Sequence, residues 1–186
     1  MFLGASDGNG NALFGSTGST SGDFTNAYLI MAKFRESDYA MEWQKAFWET
    51  FSEGTLKFEG ELLFDVGQTN FLFSAKHEYN SGRTDRRIIE ADLATGATIS
   101  TQFDIQVTDA SAESDALIYI ESEGTCILEY FSSTSSPSSL YILKMVLSSA
   151  TLAWCYRTDV DNTDWKFSRV MKYDSSTDTV YVGSNY

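Results

Sequence analysis

The chain has 186 residues, of which 42% are hydrophobic, 15% aromatic and 21% charged, a composition that supports a folded core rather than general disorder. Its 26 acidic residues outnumber the 13 basic ones, and the net charge of -13 opposes binding to nucleic acid or to an anionic membrane surface. No apolar run reaches the roughly 20 residues that span a bilayer, so we expect no membrane insertion.

The first ten residues, MFLGASDGNG, contain a short apolar strand followed by turn residues. They have neither the basic region nor the hydrophobic segment of a signal peptide. We therefore expect either a cytoplasmic protein or the mature part of a longer precursor. The composition favours the second interpretation, which places the protein outside the cell or at the cell surface.

Two oxygen-rich loops are candidates for calcium binding, the one cofactor that the sequence suggests. The loop near the N-terminus begins Asp-x-Asn-x-Asn like an EF-hand loop, but it lacks the Gly and Glu at the sixth and twelfth positions. The loop DVDNTDW groups three aspartates and also lacks a completing Glu. The candidate ligands are Asp7, Asn9, Asn11, Asp159, Asp161 and Asp164. Asp, Asn and Gly also stabilise tight turns, so two metal-free turns are the alternative.

Three hairpins along the chain follow one pattern, in which an alternating strand and a polar turn precede a second strand. They occupy residues 29–47, 88–103 and 141–157. Trp43 and Trp154 hold matching positions after the turn, and Thr101 takes that position in the middle copy. Residues 39–51 also show apolar spacing typical of a helix, but their β-prone partners in the alignment favour a strand.

A second unit lies between the hairpins and reads as a strand, a polar loop and a short apolar strand. Its copies occupy residues 61–76, 107–122 and 170–185. The apolar strands within them, Phe71–Phe73, Leu117–Ile120 and Val180–Val182, have the β-branched and aromatic composition of fully buried strands.

These repeats predict a single all-β domain over residues 1–186. Apolar strands begin near residues 2, 71, 117 and 180, and four-stranded units of this size are typical of β-propeller blades. We predict a β-propeller-like fold with about three four-stranded antiparallel blades plus a terminal strand. The units are roughly 1–65, 66–110, 111–175 and 176–186. A β-sandwich is the main alternative, because short strands at regular spacing also describe that architecture.

Two sequence features resemble a known class of repeat. A lysine precedes the turn and a tryptophan follows it in two hairpins, as Lys33 with Trp43 and Lys144 with Trp154. The turn ADLATG at 91–96 looks like a reduced form of the Ala-x-Asp-x-x-Thr-Gly turn of quinoprotein-like repeats. The chain thus resembles quinoprotein-like and bacterial surface β-propellers. The resemblance implies an architecture, and function does not follow from it.

Catalytic motifs are missing from the sequence. It contains one histidine, His77, and no Gly-x-Ser-x-Gly elbow, phosphate-binding loop or set of zinc ligands. We therefore expect a protein that is not an enzyme. Cys126 and Cys155 both fall in the third unit, where they form either a disulfide in an oxidising compartment or two buried thiols.

The predicted arrangement leaves the last strand without a partner, and such an edge pairs readily with another chain. We expect a structural subunit that assembles with itself into a filament or a ring by strand-edge complementation. The residues predicted to pair are Thr179, Val180, Tyr181 and Val182 of one copy with Phe2 and Leu3 of the next. The alternative is a piece of a larger closed propeller that binds a ligand or catalyses a reaction at its central channel.

Overall fold

The computed structural model describes residues 2–19, 26–51, 62–67, 69–78, 84–99, 103–107, 116–132, 138–160 and 166–185. The all-β prediction is confirmed: within these ranges, fourteen strands form four antiparallel sheets, and the only helical segment is one 3-10 turn at Glu121–Glu123. The chain divides into two compact units, residues 1–110 and residues 111–186.

Unit 1 contains two four-stranded sheets, each with its strands in chain order. The first sheet consists of β1 (Phe2–Ser6), β2 (Asn11–Ser19), β3 (Asn26–Arg35) and β4 (Met41–Phe51). The second consists of β5 (Leu62–Val66), β6 (Asn70–Glu78), β7 (Thr84–Asp92) and β8 (Phe103–Val107). Residues 41–51 are therefore a strand, as their alignment with the other hairpins predicted.

Unit 2 contains one four-stranded sheet and one two-stranded sheet. The third sheet consists of β9 (Leu117–Ile120), β10 (Thr125–Ser132), β11 (Ser138–Val146) and β12 (Thr151–Val160). The fourth consists of β13 (Lys166–Asp174) and β14 (Thr179–Asn185).

The structure shifts the phase of the predicted repeat by one strand. The sequence places residues up to 65 at the end of the first unit, yet β5 opens the second sheet and pairs with β6. Residues 170–174 likewise pair with β14, so the last strand was wrongly predicted to stand alone. The cause lies in residues 11–19, whose Gly and Ser content indicated a loop. They form β2, because pairing with β1 and β3 on both edges compensates for weak strand propensity.

The core of unit 1 lies between its two sheets. Residues that alternate along the strands point inward, as the period of two in a strand requires. The buried side chains include Leu13, Leu29, Met31 and Phe47 from the first sheet and Phe71, Phe73, Ile89 and Ala91 from the second. Phe47 meets Phe73 edge to face at 5.0 Å between ring centroids. Each such aromatic pair adds about 1 kcal/mol beyond the burial of its area.

The core of unit 2 lies between the third sheet and the β13–β14 hairpin. Four buried residues, Ile120, Ile127, Leu140 and Ile142, pack against Met171, Tyr173 and Val180. Burial of the predicted inner strands varies along the chain. Phe71–Phe73 is fully buried, whereas Tyr181 and Val182 on β14 are 57% and 38% exposed. The prediction that Val180–Val182 is a fully buried strand is wrong. The sheet of β13 and β14 has two strands rather than four, so it covers less of each strand.

One hydrogen-bond pattern recurs in the three four-stranded sheets. The backbone N–H that follows the third strand donates to the carbonyl just before the second strand, from Leu93 to Thr69 in the second sheet at 2.8 Å. The equivalent bonds run from Glu36 to Gly10 and from Leu147 to Gly124. The turn between the third and fourth strands also has a left-handed residue each time, at Tyr39, Gly96 and Ala150. The three sheets are thus structural repeats.

Candidate functional site

Trp43 packs between the two sheets of unit 1, where its side chain has both polar and apolar partners. The residue is on β4, and its indole packs against the turn between β7 and β8. Its Nε1 donates a hydrogen bond to the backbone carbonyl of Leu93 at 3.3 Å. The ring stacks on Phe71 with 5.8 Å between centroids and 19° between planes. The second sheet therefore supplies both a polar and an apolar partner to one side chain of the first.

The turn beneath Trp43 is shaped by two of its own residues. Gly96 has a φ of +67°, and a Cβ at this position would lie 3.0 Å from the indole of Trp43. The carboxylate of Asp92 accepts hydrogen bonds from the Thr95 hydroxyl at 2.6 Å and the Thr95 N–H at 2.7 Å. These bonds hold the pKa of Asp92 below its ordinary value. The Asp-x-x-Thr-Gly sequence thus makes a rigid, flat surface for an indole.

Trp154 is the counterpart of Trp43 in unit 2. It pairs with Lys144 across β11 and β12, as Trp43 pairs with Lys33 across β3 and β4. Trp154 is 38% exposed and borders an open cleft of about 380 Å³ between the third sheet and β14. We call this the Trp154 cleft; its apolar lining comprises Leu140, Ile142, Trp154, Tyr156, Val180 and Val182.

Tyr173 on β13 makes polar contacts both within its own hairpin and with Lys144 of the third sheet. The Tyr173 hydroxyl donates to Asp178 at 2.7 Å, and this hydrogen bond raises the pKa of Tyr173 to about 12. The ammonium of Lys144 lies 5.4 Å from the centre of the Tyr173 ring and pairs with Glu123 at 2.8 Å. Hydrogen bonding to Lys144 lowers the pKa of Glu123.

The residues predicted to mediate assembly lie on two strands. Thr179, Val180, Tyr181 and Val182 are on β14, which pairs with β13 on one edge. Phe2 and Leu3 are on β1, opposite Ser16 and Gly15 of β2. Along the part of the chain that the structure describes, neither β1 nor β14 has a paired strand on its other edge.

The outer face of the first sheet was not anticipated from the sequence. Phe14, which is 44% exposed, meets Phe34 edge to face at 5.6 Å, and its ring lies over Gly4 on β1. A Cβ on Gly4 would lie 3.1 Å from that ring. A groove of about 470 Å³, which we call the Phe14 face, is lined by Ala12, Phe14, Phe34, Arg35, Glu36 and Tyr39. The one available signal was the short apolar run Ala12–Phe14 ahead of the Gly- and Ser-rich residues 15–19.

The first calcium candidate forms a tight turn. The carboxylate of Asp7 accepts hydrogen bonds from the backbone N–H of Asn9 at 2.8 Å and from the N–H and side-chain amide of Asn11. Burial raises the pKa of Asp7, but these bonds and the charge of Lys33 bring it below its ordinary value overall. The amide of Asn11 therefore binds the Asp7 carboxylate.

The second candidate loop is only partly described. Asp159 lies at the end of β12, where its carboxylate pairs with Arg157 at 2.9 Å. Asp161 and Asp164 lie outside the described residues. Across the described ranges, no cluster of three or more His, Cys, Asp or Glu side chains is arranged to hold a metal ion.

No disulfide joins Cys126 and Cys155 in the structure, so the disulfide alternative does not hold. Cys126 is on β10 and Cys155 on β12, with β11 between them. Strands two places apart are separated by about 10 Å, and a disulfide requires Cα atoms within about 7 Å. Cys126 is buried and Cys155 is exposed. The alternative of two buried thiols therefore holds for Cys126 alone.

Comparisons of the chain with protein-family models, with curated proteins and with solved structures find no match. Among the described residues, no helix has the length and apolar character needed to cross a membrane.

Proposed function

We propose that the chain is a non-enzymatic structural subunit that assembles with further copies of itself through strand pairing along the open edge of β14. β1 of the neighbouring copy is the partner strand. Contact between two different edges of the same molecule is head-to-tail, and it produces a filament or a closed ring. We place this assembly outside the cell or at the cell surface.

The observation that carries this proposal is the pairing of the second strand in each sheet. β2, β6 and β10 each pair with a strand on both edges. Within the described ranges, β14 is the one second strand with a single partner, which is β13. Its open edge offers backbone N–H and carbonyl groups to an incoming strand.

The side chains beside this edge favour a protein partner. Tyr181 and Val182 are exposed on β14, and Trp154 and Tyr156 are exposed on the neighbouring sheet. An extended partner gains main-chain hydrogen bonds along β14 and apolar contact across the Trp154 cleft. The lining of the cleft, which is mostly apolar, supports binding rather than a chemical step.

We further propose that the sheets are propeller-like blades of the quinoprotein-like type. Support comes from the hydrogen bonds that recur after each third strand and from the left-handed residue in each outer turn. The contact between Trp43 and the Asp92–Gly96 turn joins the two sequence features that the resemblance rests on.

Single proline substitutions at Val180, Tyr181 and Val182 test the assembly. Alternate strand residues point their N–H to opposite edges, so some prolines remove a bond to β13 and others remove only a donor from the open edge. We expect the second kind to leave the circular dichroism spectrum unchanged and to abolish assembly in sedimentation velocity. Folded open-edge variants that assemble as well as the parent contradict the proposal. So does a parent chain that stays monomeric at all concentrations.

A further inference from the structure

We propose that the β1–β2 hairpin of a neighbouring copy fills the Trp154 cleft, with β1 beside β14 and the Phe14 face against Trp154 and Tyr156. This inference rests on the proposed assembly through β14 and names the surface that the second copy presents. The incoming hairpin takes the third and fourth strand positions of the sheet that β13 and β14 begin.

Unit 1 shows what covers the equivalent tryptophan. Trp43 contacts Phe71 on the second strand of the next sheet and Gly96 in the turn between its third and fourth strands. In unit 2, Val180 and Val182 on β14 stand where Phe71 and Phe73 stand on β6 and already line the Trp154 cleft. The side of Trp154 that remains open corresponds to the side of Trp43 that the β7–β8 hairpin covers in unit 1.

The β1–β2 hairpin has the features of that missing element. Its turn begins with Asp7, whose carboxylate accepts backbone N–H groups, as Asp92 does in the β7–β8 turn. Gly10 in this turn is left-handed like Gly96, with φ values of +84° and +67°. Nothing lies within 4 Å of a Cβ built on Gly10, so the turn is open to an indole.

The direction and the faces of the strands also agree. Antiparallel pairing of β1 with β14 puts the Asp7–Gly10 turn at the same end as the β13–β14 turn, which is where Trp154 lies. Gly4 on β1 and Phe14 on β2 are paired and share one face of the hairpin. In this arrangement that face points toward the third sheet of the neighbouring copy. Their other face is already covered, because Leu13 is buried against the second sheet of its own unit.

Charge gives the contact a recognisable salt dependence. The chain carries a net charge of -13, and the two turns that approach each other contain Asp7 and Asp178. Both residues are close to the surface, so added salt screens their repulsion. We expect association to be stronger at 0.5 M than at 10 mM salt, with the Debye length falling from about 30 Å to a few Å.

Directed disulfide formation tests the geometry. In a Cys155→Ser background, Phe14→Cys copies are mixed with Tyr156→Cys copies under mild oxidation, and mixed dimers are measured on non-reducing gels. The matched control uses Val170→Cys in place of Tyr156→Cys. Val170 is exposed on β13, and its neighbour Met171 faces the core, so Val170 lies on the opposite face of the strand. We expect at least tenfold more mixed dimer with Tyr156→Cys than with the control.

The outcomes separate this inference from the proposed function. If open-edge prolines abolish assembly while Tyr156→Cys and Val170→Cys cross-link equally, the β14 edge is used but the β1–β2 hairpin does not fill the cleft. If the prolines leave assembly intact, the proposed function itself fails.

A third arm adds a synthetic peptide of residues 84–107 to the full chain. The inference is overturned if the parent chain stays monomeric and binds this peptide, and if Trp154→Ser removes the binding whereas Trp43→Ser does not. The cleft would then accept a glycine-turn hairpin other than β1–β2.

Discussion

Trp43 and Gly96 fit together because the glycine has no side chain: a Cβ at Gly96 would lie 3.0 Å from the indole. The carbonyl that accepts the indole hydrogen bond belongs to Leu93, in the same turn as Gly96. The contact joins the outer turn of one sheet to the fourth strand of the sheet before it. It also shows what Trp154 lacks in unit 2.

Substitution of Gly96 by alanine is expected to destabilise unit 1 by about 2 kcal/mol. The left-handed conformation costs an L-residue roughly 1–2 kcal/mol, and displacement of Trp43 adds to that cost. Chemical denaturation followed by tryptophan fluorescence measures the change. The matched control is Ala150→Gly, at a φ of +51° in the equivalent turn of unit 2. It should leave stability unchanged or raise it by about 0.5 kcal/mol, since it removes the strain that Gly96→Ala introduces. Equal destabilisation by both changes would show that the turns are not equivalent.

The two equivalent tryptophans should differ in their contribution to stability. Trp43→Ala removes a hydrogen bond and the contact with Phe71, and we expect a loss of about 3 kcal/mol. Trp154 borders an open cleft, so Trp154→Ala should cost less than about 1 kcal/mol in the monomer. Urea unfolding of the two variants under dilute, monomeric conditions measures both values. If Trp154→Ala costs as much as Trp43→Ala, the cleft is filled in the isolated chain.

A large part of the fold could be predicted from alternation of side chains. Apolar residues in the pattern Phe71-x-Phe73 indicate a strand, and repetition of the Lys–Trp hairpin indicated structural repeats. The phase of the repeat could not be predicted, because β2 has the Gly and Ser content of a loop. Its stability as a strand comes from β1 and β3 on its two edges, and pairing between distant segments leaves no local signal.

The candidate site was predicted in outline rather than in detail. Strand propensity placed Tyr181 and Val182 on a pairing strand, but it gave no information on β13 as their neighbour. The Trp154 cleft arises from the packing of two sheets, and the sequence contains no local pattern for an absent strand. The failed pairing of Cys126 with Cys155 has the same origin, because a third strand separates residues that the sequence only places in one unit.

The ionisation of Tyr173 should depend on Asp178. The hydrogen bond from the phenol to the carboxylate raises the pKa of Tyr173 from 10.0 to about 12. A raised pKa means that this contact stabilises the fold fully below pH 10 and is lost as the pH rises through 10 to about 12. Asp178 has a φ of +51°. Asp178→Asn keeps a residue suited to this left-handed conformation but removes the charge, so the pKa of Tyr173 should fall toward 10. Absorbance at 295 nm measures phenolate formation, with Asp159→Asn as a control that leaves the Tyr173 titration unchanged.

The two cysteines should react at very different rates in the native protein. Cys155 is exposed on β12 and should react with a small thiol reagent within the mixing time of the assay. Cys126 is fully buried in β10 and should react only when unit 2 opens, so its rate should rise with denaturant. Mass spectrometry of the labelled chain should therefore show a single modified thiol at first and a second one later. Cys155→Ser removes the fast phase and leaves the slow one. Native protein with no reactive thiol would restore the disulfide, and it would require β10 and β12 to lie closer than the intervening β11 allows.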